Sequence, residues 1–71
     1  MIILNPLYNH EQSQEISESI VNLYNEKIKG TDNELKFKTS INQWLSDKDN
    51  RMQPNDRTFI KLIIFGRADA C

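Results

Sequence analysis

The stretch Arg57-Thr58-Phe59-Ile60-Lys61-Leu62-Ile63-Ile64-Phe65, just ahead of Gly66, constrains the fold of this 71-residue chain more than any other. Six of the seven positions 59–65 are large and apolar. A segment that is apolar on nearly every face has to be covered on nearly every face. A chain of this length forms one small domain, here residues 1–71, and buries only part of its surface. The run is therefore expected to supply the core and, beyond it, a surface for a partner.

Domains of this size usually lean on disulfides, a metal or another chain. Cys71 is the single cysteine and His10 the single histidine, too few for an internal disulfide or a structural zinc site. No metal and no cofactor is expected, and association with a second copy or with another protein is the expected stabiliser. One cysteine also suits a reducing compartment.

The net charge of −1 exerts no general pull on nucleic acid or membrane. It is nevertheless uneven: residues 1–35 carry six acids and two bases, residues 36–71 seven bases and four acids. Met1-Ile2-Ile3-Leu4 is too short and lacks the basic flank of a signal peptide. No apolar run approaches bilayer length, so the expectation is a cytoplasmic chain without membrane contact. Abundant Asn and Ile with scarce Ala is a pattern common in bacterial accessory genes and phages.

Helical periodicity organises the rest. Ile2, Ile3, Leu4, Leu7 and Tyr8, interrupted by Asn5-Pro6, form a lead-in, extended or a short turn, expected to lie across a core seam, with a partner-binding arm as the alternative. Asn9 caps a first helix over about 10–29, with Ile16, Ile20, Val21, Leu23, Tyr24 and Ile28 at helical spacing and Gly30 beyond its end. Thr31-Asp32-Asn33-Glu34 has the T-x-x-E spacing of a capping box and opens a second helix over about 32–47, carrying Phe37, Ile41, Trp44 and Leu45. Asp47 to Asp56 is polar and contains Pro54, and it is the one clear linker. Asn55 or Asp56 then caps a third helix over about 56–68, with Arg57, Thr58 and Lys61 polar opposite Phe59, Leu62 and Ile63.

The fold class is all-α, a small three-helix unit. The alternative is α+β, because Leu35-Lys36-Phe37-Lys38-Thr39 alternates with strand period and 58–65 is rich in β-branched and aromatic residues. Strands at 35–39 and 58–65 are then expected.

Enzyme chemistry finds no foothold. His10 stands among glutamates at a helix start, where a solvated or capping role accounts for it. Cys71 is the last residue, with no basic neighbour closer than Arg67 to activate the thiol. Glu11, Glu15 and Glu18 form a helical row of the solvated kind. Gly30 and Gly66 lie in no phosphate-binding pattern. No small-molecule substrate is expected.

The expected function is a non-enzymatic protein-binding module, of the small adaptor, co-chaperone or inhibitor type. Phe59, Ile60, Ile63, Ile64 and Phe65 form the contact, with Trp44 and Tyr24 as aromatic anchors. Ser40-Ile41-Asn42-Gln43-Trp44-Leu45-Ser46, then a loop with Pro54, then Phe59-Ile60-Lys61-Leu62, resembles part of a lambda-repressor-like helix-turn-helix. That resemblance supplies the alternative function, a small DNA-binding regulator. It implies that Ser40, Asn42 and Gln43 face base edges while Lys48 and Arg51 contact phosphates. Leu35 to Thr39 stands where that family carries a helix ending in a small residue and a glycine.

Overall fold

The computed structural model describes residues 6–67. Over that span the chain is all-α, with three helices and, among the described residues, no strand. Helix α1 covers His10–Leu23 and continues without a break into a wider π-helical turn, Tyr24–Ile28. Asn9 caps it as expected, its side-chain oxygen accepting the Gln12 backbone N–H at 2.7 Å. At the far end the Lys29 N–H reaches the Tyr24 carbonyl at 2.8 Å. Gly30 follows at φ 79, a left-handed conformation that strains residues bearing a Cβ.

Helix α2 covers Glu34–Ser46, beginning two residues later than position 32 and ending one before 47. The T-x-x-E motif works differently from a reciprocal capping box. Thr31 Oγ1 donates back to the Ile28 carbonyl at 2.6 Å and accepts the Asn33 N–H at 3.2 Å, while Glu34 accepts the Gly30 N–H at 2.9 Å. The motif thus binds the turn to the end of α1. Leu35–Thr39 is helical, because Phe37, Ile41 and Leu45 at helical spacing reach the core together. Leu35, outside that stripe, is left 77% exposed.

The expected linker is a built loop. Asn50 is buried, its amide donating to the Trp44 carbonyl at 2.9 Å and its side-chain oxygen accepting the Met52 N–H at 2.9 Å. Met52, at 0% exposed, is a central core residue. The lead-in is fastened to the same loop. The Tyr8 N–H donates to the Arg51 carbonyl at 2.8 Å, Arg51 Nε to the Pro6 carbonyl at 2.8 Å, and Gln53 Nε2 to the Tyr8 carbonyl at 2.6 Å. The Arg51 guanidinium also lies 4.5 Å from the Tyr8 ring centre. Of the lead-in, Tyr8 packs on the core and Leu7 is exposed; Ile2 to Leu4 lie outside the described residues.

Helix α3 covers Pro54–Ile60 and, like α1, widens into a π-helical turn, Lys61–Phe65. It starts before position 56 because Pro54 takes the first helical position, where its missing N–H costs nothing. Gln53 is the N-cap in place of Asn55 or Asp56. Gly66, at φ 81, ends the helix short of position 68, which itself lies outside the described residues.

Helices α1 and α3 make the most extensive contact between helices. The start of α3 is tied to the first turn of α1, the Gln53 N–H donating to Ser13 Oγ at 2.9 Å. Further along, Phe59 shares a groove with Ser17 and Glu18, so the two helices run in the same direction. Ser13 and Ser17 are both fully buried, and their small side chains let α3 come close. Helix α2 folds back at Gly30 and packs on the last turn of α1, where the Tyr24 and Phe37 rings stack at 6.0 Å. The core unites Val21, Tyr24, Ile41, Leu45, Met52, Ile60 and Ile64.

Candidate protein-binding surface

The orientation of α3 decides which part of the apolar run is available. Ile60 and Ile64, one turn apart, are buried at 0% and 3% exposure against Met52 and the α1 face. Arg57 and Lys61 flank them half-buried, and the Arg57 Nε is itself covered, with no hydrogen-bond partner among the described residues. Phe59, Leu62 and Ile63 face outward at 38%, 48% and 42% exposure.

This corrects the expected faces of the third helix. Of the residues read as its polar side, Arg57 and Lys61 border the core while Thr58 is exposed, and those read as opposite it form an exposed apolar stripe. The physical reason is that three faces of the run are apolar and the neighbours choose among them. Ile60 and Ile64 share one line with Met52 behind them, and the serine-lined α1 face receives that line.

Of the residues expected to bind a partner, Phe59 and Ile63 lie on the stripe. Ile60, Ile64 and Tyr24 are spent on the core, while Phe65 and Trp44 are half-buried against it. Leu62, absent from the expected set, is the most exposed of the stripe residues. Its helical relation to Phe59 and Ile63 was the available signal.

Beside the stripe, α1 and α3 leave a groove of about 220 Å³ lined by Gln14, Ser17, Glu18, Asp56 and Phe59. Glu18 accepts a hydrogen bond from Gln14 Nε2 at 3.2 Å. Among the described residues neither Glu18 nor Asp56 has an ion-pair partner. Away from the groove, Lys38 and Glu34 form an ion pair at 3.1 Å. Glu34 also accepts from the Gly30 N–H at 2.9 Å and the Tyr24 hydroxyl at 3.0 Å. The Gly30 N–H above all, with Lys38 and Tyr24, holds the Glu34 carboxyl at about 2, below its ordinary 4.5. The Lys38 ammonium is raised in turn, chiefly by Glu34. This cluster is a clamp on the α1–α2 turn.

The residues of the DNA-binding alternative lie on α2 and in the loop that follows it. Ser40 and Gln43 are exposed and Asn42 is half-buried on another side of α2. Lys48 is exposed in the loop, while Arg51 is engaged by Tyr8 and Pro6. His10 opens α1 exposed, Glu11, Glu15 and Glu18 are exposed, and Cys71 lies outside the described residues. No group of described His, Cys, Asp and Glu residues could hold a metal ion. No described helix is long and apolar enough to cross a membrane. No protein-family model, no curated protein and no solved structure matches the chain.

Proposed function

We propose that the protein is a non-enzymatic binding module that engages another protein chain through the outer face of α3. The observation that carries this reading is the stripe Phe59, Leu62 and Ile63, each more than a third exposed on consecutive turns of one helix. Exposed apolar residues scattered singly are ordinary on protein surfaces, whereas these three adjoin one another on a single face. The role fits a cytoplasmic adaptor, co-chaperone or inhibitor, for which one small helical unit with one adhesive face suffices.

Two measurements test the reading together. Affinity capture with the intact chain identifies a bound protein, and light scattering on the purified chain reports self-association. The reading requires a captured protein or a concentration-dependent oligomer that is lost when Ile63→Asp is used. A chain that stays monomeric over a wide concentration range and retains no protein would remove it.

A further inference from the structure

The apolar stripe is bordered unevenly, and the border indicates what covers it. Toward α1 lies the groove in which Phe59 stands between Asp56, contributed by α3, and Glu18, contributed by α1. Glu11 and Glu15 are exposed on the same helical row of α1, one to two turns before Glu18 and so level with the start of α3. The basic residues of α3, Arg57 and Lys61, sit on its core-facing side and are half-buried. The edge of the stripe toward α1 therefore carries the groove carboxylates Glu18 and Asp56 beside Phe59.

Size sharpens the point. Three side chains exposed by about two-fifths leave on the order of 200 Å² of apolar surface. A stable interface covers roughly 800 Å² on each partner. Any occupant must therefore spread onto the neighbouring polar surface, which on the α1 side carries carboxylates. Two copies docked groove to groove would oppose the same carboxylates and gain no charge complementarity there. The stripe also follows the helix axis with spacing i, i+3 and i+4, the arrangement that accepts an amphipathic helix laid along it.

We infer, resting on the proposed function, that the occupant is a basic amphipathic helical segment of another protein. Its apolar residues cover Phe59, Leu62 and Ile63. A lysine or arginine along its edge enters the groove and pairs with Asp56 and Glu18. Because both carboxylates are near solvent, the pairing contributes chiefly selectivity and rate of encounter, and it weakens as salt rises.

The test uses the full chain and two synthetic 18-residue peptides with one leucine face, flanked in one by lysines and in the other by glutamates. Calorimetry gives the affinities and amide chemical shifts give the footprint. The expected result is binding of the lysine peptide at least tenfold tighter than the glutamate peptide, with shifts at Phe59, Leu62, Ile63 and Glu18. The variants Glu18→Gln and Asp56→Asn should each weaken the lysine peptide several-fold while leaving the circular dichroism unchanged. Equal affinities at the stripe would overturn the inference and leave the binding module standing. So would a self-dimer whose interface maps to the stripe. No binding of the lysine peptide, or a footprint elsewhere, would also overturn it. If association of the native chain with its own partner survives Leu62→Asp as well, the proposed function falls with it.

Discussion

Ser13 Oγ accepts the backbone N–H of Gln53 at 2.9 Å, joining the first turn of α1 to the N-cap of α3 across 40 positions of sequence. The same hydroxyl points at Met52 Sδ, 3.7 Å away. One small buried side chain thus fixes where α3 begins against α1. That in turn fixes which side of the apolar run faces inward. Replacing Ser13 by Ala leaves a partly buried N–H without a partner, which costs about 1–3 kcal/mol. Ser13→Ala is expected to lower the urea midpoint by a corresponding amount with no change of slope. An unchanged midpoint would show that the register of α3 does not depend on this bond.

Met52 is predicted to be the most sensitive position outside the helices. Truncating a fully buried methionine to alanine costs about 2–5 kcal/mol. A domain of this length has on the order of 4–10 kcal/mol to lose. Met52→Ala should therefore melt far below the native chain or fail to fold, whereas Met52→Leu, which keeps the volume, should lose less than about 1.5 kcal/mol. Thermal melts followed by circular dichroism separate the two. Equal melting of all three chains would mean that the loop does not reach the core.

Glu34 makes a prediction about acid. Its carboxyl is held at about 2 in the folded chain, below its ordinary 4.5, because the Gly30 N–H, Lys38 and Tyr24 favour the charged form. The unfolded chain therefore takes up the proton first as pH falls. The stabilisation is complete above pH 4.5 and is lost between there and about 2. Other carboxyls titrate in the same range, so the comparison with Glu34→Gln is the informative one. The native chain should lose its advantage over the variant across that window, and parallel curves would contradict the clamp.

Much of the fold was legible because helices announce themselves locally. Asn9 and Gly30 bracket α1 by capping chemistry, and Phe37, Ile41, Trp44 and Leu45 combine i+3 and i+4 steps that a strand does not place on one face. The loop before α3 was harder to read. Asn50 and Met52 belong to no periodic segment, and a polar stretch reads as solvated until Asn50 is seen closing bonds to Trp44 and Met52 on either side. The available hint was the density of Asp and Asn, whose short side chains bond nearby backbone. The candidate site was legible only to the level of a segment. Within 59–65 almost every residue is apolar, so periodicity carries no phase. Which residues become core and which become surface depends on Ser13, Ser17 and Met52, distant in sequence.

The central claim is that one side of α3 builds the core while the other binds a partner, and a matched pair of substitutions on that helix tests it. Leu62→Asp and Ile60→Asp introduce the same charge two positions apart, and each variant is assayed by circular dichroism and by association with the protein or copy that the native chain retains. Leu62→Asp should keep the helical signal and a stability within about 0.5 kcal/mol of native, as surface substitutions do, and should lose association. Ile60→Asp should unfold, because it buries an unpaired charge. A folded Leu62→Asp chain that associates as the native chain does would contradict the account.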